Sequence, residues 1–276
     1  MERRRFLAAL TVTSLGSLVK SVCGEPEAMA SASAPSADLK FPPNAAIVLV
    51  HAAWADGSCW SNVILPLERR GLQVICAPIP LTSLSDDAAA LSRVLERTGG
   101  PVVLVGHAYS GAVIAAVRND RVESLVYISA LAPDEGETVG KVFYLNPNSP
   151  EAPKMVPDSR GFVWLPENAF HRALAQKSSP EQARIAAAVQ RPIAVQCIQE
   201  PAPVPAWKTK PSWYLIAEED RMINPKSQRF MADRMGARIH SAPVDHTAMY
   251  ASPQVVIDVI LEAARETMAR SLPVPP

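Results

Sequence analysis

An acid–base pair is the first chemistry that the sequence suggests, and its members are Asp220 and His246. The stretch LIAEEDRMINP places Asp220 directly after an apolar run, and VDHTAMY places His246 directly after the next one. A carboxylate that orients an imidazole lets the other ring nitrogen take a proton from a reacting group. Both residues follow strands of one predicted parallel sheet, so we expect them to meet at one sheet edge. Glu219 is the alternative acid.

The residues 102–116, VVLVGHAYSGAVIAA, could supply the turn that carries a nucleophile. A buried strand, a sharp turn and a helix form the nucleophile elbow, whose pattern is Gly-x-Ser-x-Gly. Gly106 matches the first glycine, but Ala108 stands at the nucleophile position and Ser110 stands at the last glycine. Because alanine has no nucleophilic atom, the sequence predicts an elbow whose attacking group is missing.

Ser110 is a candidate substitute nucleophile, displaced by two residues. At about 100° per residue it lies about 200° around the helix from position 108. We therefore expect its hydroxyl to face the neighbouring strand or to cap the helix rather than to attack a substrate.

Backbone N–H groups could stabilise the negative oxygen of an acyl-transfer intermediate. In an elbow-type site, one donor follows the nucleophile and the other lies in the turn after an earlier strand. These positions correspond to Tyr109 and to Ala53 or Ala52, in the stretch LVHAAWADGSCW. Such donors do not depend on the side chain at position 108. Trp54, in the same stretch, either lines the pocket or covers the sheet.

Alternating apolar strands and amphipathic helices must position these residues. Strands are predicted at 45–51, 72–80, 101–106, 122–130, 211–217 and 237–243, and helices at 58–70, 83–98, 111–119, 225–236 and 252–270. This alternation predicts an α/β fold with a doubly wound, mostly parallel sheet. It breaks over 134–206, where Pro-rich loops and polar helices without a convincing buried strand predict an inserted, mainly helical lid.

These motifs together resemble the α/β-hydrolase superfamily, within a small-lid group of plant methyl-ester esterases, hydroxynitrile lyases and bacterial hydrolases. The resemblance covers roughly 45–270 and rests on five stretches in the expected order: IVLVHAAWADGSCW, VVLVGHAYSGAVI, LVYISALAPDEGE, YLIAEEDRMINP and VDHTAMYASPQVV. It implies a serine at position 108 and a glycine at position 110, from both of which this sequence departs.

The absent serine leaves several functions open. The protein could hydrolyse a small ester-like or carbonyl compound with a water activated by His246 and Asp220, or with Ser110 as the nucleophile. It could instead be a cofactor-independent lyase or isomerase that moves a proton beside a carbonyl, or a ligand-binding member of the family without activity. Five aromatic residues of the predicted lid suggest a hydrophobic ligand, or simply pack the lid on the core: Phe143, Tyr144, Phe162, Trp164 and Phe170.

The composition narrows the partners to small molecules. Lys and Arg together number 27, as do Asp and Glu, and no basic patch predicts nucleic-acid binding. Neither a metal-ligand cluster nor a phosphate-binding glycine loop occurs, so no metal and no organic cofactor are expected. Cys59, Cys76 and Cys197 are too few for a disulfide framework. Nothing in the sequence fixes an oligomeric state.

The N-terminus predicts export. Arg3, Arg4 and Arg5 precede an apolar run from Phe6 to Val19, which is the layout of a twin-arginine signal and is shorter than the roughly 20 residues of a membrane span. We therefore divide the chain into a signal and linker at 1–34, a core at 41–133 and 207–272, and a lid at 134–206. The predicted location is periplasmic or secreted, with no stable membrane span after signal removal.

Overall fold

A six-stranded parallel sheet lies at the centre of the computed structural model, which describes residues 41–271. Six strands form this sheet: β1 (Ala46–Val50), β2 (Gln73–Ala77), β3 (Val102–His107), β4 (Val122–Ile128), β7 (Ser212–Ala217) and β8 (Arg238–Ala242). Two short strands, β5 (Phe162–Val163) and β6 (Ile193–Ala194), form a separate pair. The sheet order is β2-β1-β3-β4-β7-β8, with every neighbouring pair parallel. The carboxyl ends of the strands therefore meet at one edge.

Helices cover the sheet and build the segment between β4 and β7. They are α1 (Ser61–Glu68), α2 (Leu84–Leu95), α3 (Ser110–Ala116), α4 (Val139–Phe143), α5 (Glu167–Ala169), α6 (Pro180–Ala188), α7 (Val195–Gln199), α8 (Pro225–Arg234), α9 (Ala248–Ala251) and α10 (Pro253–Ser271). Short 3₁₀ turns at Gly57–Trp60 and Ala206–Lys208 and a π-helical turn at Phe170–Leu174 connect them. The predicted helix 58–70 is therefore a 3₁₀ turn followed by α1.

Both faces of the sheet are buried, as the continuous apolar strands predicted. In β1, Ala46, Val48 and Val50 pack into a core that also contains side chains of α2, α3 and α8. Ile47 and Leu49 point to the other face and pack with α1 and α10. Successive side chains of a strand point to opposite faces, so helices on both sides are needed to exclude water. The doubly wound α/β fold is thereby confirmed.

The segment 134–206 adds no strand to the six-stranded sheet, but it contains one short antiparallel pair. Phe162 pairs with Ala194 and Val163 pairs with Ile193. The prediction that this segment contains no buried strand is therefore wrong. Two-residue strands are too short to show alternation in the sequence. This pair is held in place by tertiary contacts, because the Ala194 N–H donates to the Leu81 carbonyl oxygen at 2.9 Å.

The predicted export signal, 1–34, lies outside the described residues. Over 41–271, the helices are too short or too polar to cross a membrane. The division into a core at 41–133 and 207–272 and a lid at 134–206 stays a prediction.

Candidate active site

A buried hydrogen bond joins the two residues of the predicted acid–base pair. His246 Nδ1 lies 2.8 Å from Asp220 Oδ2, and both side chains are almost fully buried. Oδ1 of Asp220 accepts the N–H groups of Met222 and Ile223 at 2.7 and 2.9 Å, and Gln228 donates to Oδ2 at 2.8 Å. These bonds fix the carboxylate. The carboxylate accepts a hydrogen bond from Nδ1–H of His246. In this tautomer the lone pair on Nε2 can accept a proton.

Ala108 lies on the sharp turn between β3 and α3, where the sequence predicted the elbow. Its φ of +50° is left-handed, a region in which a non-glycine residue is strained unless its surroundings hold it. The surroundings hold Ala108 by three backbone hydrogen bonds. Its N–H donates to the Ile128 carbonyl oxygen at 3.2 Å, and its carbonyl oxygen accepts the N–H groups of Gly111 at 3.1 Å and Leu131 at 2.9 Å. The turn thus has the geometry of an elbow with a methyl group at its tip.

Two glycines make this turn sterically possible. A Cβ at Gly106 would lie 2.7 Å from the Ser110 carbonyl oxygen, and a Cβ at Gly111 would lie 2.4 Å from the Leu131 carbonyl oxygen. Both distances are far below van der Waals contact. The residues that must be small in this turn are therefore Gly106 and Gly111, while position 110 accepts a serine.

The Ser110 hydroxyl faces away from the cavity beside Ala108. Ser110 is fully buried and donates to the carbonyl oxygen of His51. The His51 ring is itself engaged, because Nδ1 lies 2.9 Å from the Ala52 oxygen and Nε2 accepts the Ile79 N–H at 3.3 Å. Burial lowers the pKa of His51 to about 4, so the ring is neutral near pH 7. This placement contradicts the hypothesis that Ser110 is a substitute nucleophile.

Two backbone N–H groups remain available next to Ala108. The Trp54 N–H donates to Arg191 at 3.0 Å. Within residues 41–271, by contrast, the N–H groups of Ala53 and Tyr109 have no hydrogen-bond acceptor. Ala53 and Tyr109 both line the cavity that also contains Ala108 and His246, whereas Ala52 does not line it. Of the predicted oxyanion donors, Ala53 and Tyr109 therefore fit and Ala52 does not.

We call the space above Ala108 the front cavity. It has a volume of about 50 Å³, several times the ~10–15 Å³ that one water needs. Its walls are almost entirely apolar, and among the lining residues only His246 has a side chain that could act as a base near pH 7. The lining residues are Ala53, Trp54, Ala108, Tyr109, Leu131, Val139, Phe143, Tyr144, Met155, Ile193, Ile198, Met222, Ile223 and His246.

The predicted aromatic residues divide between this wall and other positions. Phe143 and Tyr144 line the front cavity, but Phe162, Trp164 and Phe170 do not. Of the two roles that the sequence left open for Trp54, lining the cavity is observed, and its Nε1 donates to the Val163 carbonyl oxygen in β5 at 2.9 Å.

Comparison with known proteins agrees with this geometry. The sequence profile of the Alpha/beta hydrolase family matches residues 47–259. The chain belongs to this family. It is 25% identical over 246 residues to an alpha/beta hydrolase of Aspergillus novofumigatus, covering 81% of this chain and 98% of that protein. It is 26% identical over 250 residues to Methylesterase 2 of Arabidopsis thaliana, covering 79% and 95%.

Solved structures share the fold of this α/β hydrolase. Polyneuridine aldehyde esterase superposes with a TM-score of 0.70 at 18% identity, over 80% of this chain and 99% of that one. A pyrethroid hydrolase from Sphingobium faniae gives a TM-score of 0.69 at 22% identity, over 80% and 97%. The named relatives are esterases and hydrolases, which supports a hydrolase-type enzyme acting on small molecules.

A second buried carboxylate, Asp87, was missed by the sequence analysis. Oδ1 of Asp87 accepts the Leu81 N–H at 2.7 Å, and Oδ2 accepts the Tyr109 hydroxyl at 2.7 Å. The Cys197 thiol lies 3.7 Å from the same Oδ2. Burial raises the pKa of Asp87 to about 6. One signal in the sequence could have found it: in α2, Leu84, Asp87 and Leu91 follow helical spacing, which puts Asp87 on the buried face.

The segment 134–206 is attached to the loops that carry the acid–base pair. Lys177 Nζ lies 2.6 Å from Glu219 Oε1, and the Lys177 N–H donates to Asp245 at 2.8 Å. The Thr247 N–H and hydroxyl both donate to the Leu174 oxygen, at 3.2 and 2.9 Å. Glu219 is thus paired with a lysine on a half-exposed surface, and the acid that contacts His246 is Asp220.

Over residues 41–271, no group of three or more His, Cys, Asp or Glu side chains is arranged to hold a metal ion. Cys59, Cys76 and Cys197 are free thiols, and burial raises the pKa of Cys76 to about 11 and that of Cys197 to about 12. All three are therefore protonated and weakly reactive near pH 7.

Proposed function

We propose that this α/β hydrolase cleaves a small, hydrophobic ester with water as the attacking group. One observation carries the proposal: His246, hydrogen-bonded to Asp220 at 2.8 Å, lines the same cavity as Ala108 at the elbow tip. In this interpretation Ala108 occupies the nucleophile position, and its methyl group leaves room where a serine oxygen would stand. The pair can then act on water directly.

The reaction would proceed in two balanced steps. His246 Nε2 accepts a proton from water while the water oxygen bonds to the carbonyl carbon, which leaves the charge on the carbonyl oxygen. The N–H groups of Ala53 and Tyr109 would donate to that oxygen. The ester C–O bond then breaks, and the leaving oxygen takes the proton from His246. Asp220 stabilises the transient imidazolium and keeps its carboxylate form.

The cavity wall favours an apolar substrate of modest size. Leu131, Phe143, Met155 and Ile193 supply hydrocarbon, while the polar groups lie only at the reacting end. Small-molecule sites are commonly built in this way, with a few polar groups fixing the orientation. The related carbendazim hydrolyzing esterase of Nocardioides, 30% identical over 107 residues, supports a small-molecule substrate. We propose that the segment 134–206 is the lid over this cavity.

The first test is hydrolysis of a panel of aryl and alkyl esters by the purified protein. We expect slow turnover that His246→Ala lowers by about 10²-fold or more, the usual contribution of a general base, to the level that the oxyanion hole and binding sustain alone. A fluorophosphonate should not label the protein, since neither Ala108 nor the buried Ser110 can attack it. Turnover that is unchanged in His246→Ala, or labelling at Ser110, would contradict water attack.

The second test restores the nucleophile. Ala108→Ser, alone and combined with Ser110→Gly, should raise esterase activity and create a fluorophosphonate-reactive site. The elbow already has the left-handed φ that the position requires, so the exchange adds one oxygen without rebuilding the turn. No gain in either variant, together with a small molecule that co-purifies with the protein, would favour a binding protein without activity.

A second candidate function is proton transfer beside a carbonyl, as in a lyase or isomerase. The almost wholly apolar wall favours it, because the site offers one base and little to hold a hydrolytic water. Incubation of candidate ketones and hydroxynitriles in D₂O distinguishes the two functions. Deuterium exchange that requires His246, without ester cleavage, would select proton transfer.

We also propose that the protein is exported through its N-terminal signal. The support is the sequence itself, Arg3-Arg4-Arg5 followed by an apolar run. Arg3→Lys combined with Arg4→Lys should retain the protein in the cytoplasm of a host with twin-arginine export. Unchanged export in this double variant would refute the assignment.

A further inference from the structure

A second cavity adjoins the front cavity, and we call it the rear cavity. Ala53, Trp54 and His246 line both cavities and so form the boundary between them. The rear cavity has a volume of about 20 Å³, which exceeds the ~10–15 Å³ of one water by little. Its remaining lining residues are Ala52, Ala55, Cys59, His107, Phe170, Leu174, Ala175, Ala186, Thr247 and Tyr250.

One side chain of this wall, His107, has an unused hydrogen-bond acceptor. His107 Nε2 lies 2.8 Å from the His246 carbonyl oxygen, so Nε2 carries the proton and Nδ1 keeps a lone pair. Nδ1 is buried and has no hydrogen-bond partner within residues 41–271. Burial holds the pKa of His107 well below its usual range, so the ring is neutral. A buried acceptor without a donor is unfavourable, so a donor that reaches Nδ1 would stabilise the site.

The hydroxyl and thiol groups of the rear wall are uncharged. The Thr247 hydroxyl already donates to Leu174, and burial raises the pKa values of Cys59 and Tyr250, so both stay protonated. No Lys, Arg, Asp or Glu is among the residues lining the rear cavity. A carboxylate would find no Lys or Arg there to pair with, whereas a small apolar molecule with one O–H group would find a matching acceptor.

We propose that the rear cavity binds an alcohol no larger than methanol, whose hydroxyl donates to Nδ1 of His107. This inference rests on the proposed ester hydrolysis and assigns the rear cavity to the leaving alcohol. The rings of His107 and His246 are in direct contact, with centroids 4.9 Å apart, and both line the rear cavity, so one small molecule in that cavity can touch both. When the ester C–O bond breaks, the alkoxide oxygen takes its proton from His246, and the new hydroxyl then donates that proton to the hydrogen bond with His107. The acid product, which is charged, stays outside the rear cavity.

The test is a methanol titration of protein labelled with ¹⁵N in histidine, without any ester. An acceptor nitrogen changes its ¹⁵N resonance when it gains a hydrogen bond, so the His107 Nδ1 resonance should shift and saturate. Ala186→Leu, on α6, should fill the cavity and abolish the shift. Ala188→Leu is the matched control, because Ala188 lies on the same helix but is exposed. Ala55→Leu, at a half-buried position, is the second filling variant should Ala186→Leu not fold.

The outcomes separate this inference from the proposed hydrolysis. A saturable shift that both filling variants remove supports the alcohol site even if no ester is ever hydrolysed. A linear shift that persists in the filled variants is a solvent effect and overturns it. A Nδ1 resonance that is already at its hydrogen-bonded position and ignores methanol means that the cavity holds water only, which also overturns it.

Discussion

Asp220 and Asp87 are both fully or nearly fully buried carboxylates at the elbow edge of the sheet, yet they are built into the protein in different ways. Asp220 lies in the loop after β7, takes two N–H groups from its own loop and contacts His246. Asp87 lies inside α2 and takes donors from three separate segments, at Leu81, Tyr109 and Cys197. In the proposed reaction the first orients a base, whereas the second joins separate segments through hydrogen bonds.

This difference teaches that burial of a carboxylate is not by itself a sign of catalysis. The two sites touch the same elbow from different directions. Asp220 contacts His246, through which it would act in the proposed reaction, and Asp87 contacts the elbow through the Tyr109 side chain. Changes at Asp220 should therefore alter chemistry with little change in stability, and changes at Asp87 should do the reverse.

The largest expected effect is on activity in Asp220→Asn. The amide keeps the shape of the side chain, but its NH₂ group would donate where the carboxylate accepts from His246 Nδ1 and Gln228. His246 would then be held in the wrong tautomer. We expect a loss of about 10²-fold in ester hydrolysis, the lower end of a general base's contribution, measured as kcat/KM. Asp87→Asn is the matched control, and we expect it to keep activity within a few-fold. Equal losses in both variants would remove the distinction between the two carboxylates.

The next largest effect is on stability in Asp87→Ala. Truncation leaves the Leu81 N–H and the Tyr109 hydroxyl buried without an acceptor and opens a small cavity. Each unsatisfied donor costs about 1–3 kcal/mol, so the free energy of unfolding should fall by on the order of 3 kcal/mol. Urea unfolding of the two proteins measures this fall. A change below about 0.5 kcal/mol, the range of ordinary surface substitutions, would show that Asp87 does not hold these segments together.

The pH dependence of stability should carry the signature of Asp87. Burial raises its pKa from 3.8 to about 6 in the folded protein, so the folded state holds this proton more tightly than the unfolded chain. The resulting stabilisation is fully present below pH 3.8 and is lost as the pH rises through 6. It amounts to on the order of 2–3 kcal/mol. Unfolding free energies of the native protein and Asp87→Asn, compared from pH 4 to 7, should diverge by this amount.

His51 provides the internal control for that comparison. Its pKa is lowered to about 4, so the unfolded chain binds the proton more tightly and stability rises with pH from 4 to 6.5. This contribution has the opposite sign and is present in both proteins, so it cancels in their difference. A difference that does not depend on pH would place the titration elsewhere than at Asp87.

The contact between Asp220 and His246 could be predicted because its signal in the sequence is local, while their acid–base role stays a prediction. Asp220 and His246 each follow a continuous apolar strand, and parallel strands bring such positions to one edge whatever the details of packing. The elbow with Ala108 could be predicted for the same reason, since the turn must end β3 and begin α3. The six-stranded parallel sheet follows from the same alternation.

What the sequence did not reveal depends on contacts between distant segments. Asp87 follows Asp86 in the first turn of α2, where acidic residues favourably meet the positive end of the helix dipole. Its burial arises only when the elbow and α7 pack over it. Helical spacing could indicate that Asp87 is buried but not which segments donate to it. The pairing of β5 with β6 and the rear cavity have no periodic signal at all, because each is assembled from residues far apart in the chain.

The smallest expected effect is that of Tyr109→Phe, which tests how far the two carboxylates are independent. The variant removes one hydroxyl donor from Asp87, and loss of a buried hydrogen bond should lower the unfolding free energy by about 1 kcal/mol. The hydrogen bond that the Tyr109 hydroxyl donates stabilises the carboxylate form of Asp87. Its removal should therefore raise the pKa of Asp87 further. The Tyr109 N–H stays in place, and the proposed oxyanion site should therefore retain its activity within a few-fold. Urea unfolding and ester hydrolysis, measured on the same preparations, separate these effects. If Tyr109→Phe lost as much activity as Asp220→Asn while its stability hardly changed, the phenol would belong to the reacting site, and Asp87 would be a second orienting acid rather than a structural one.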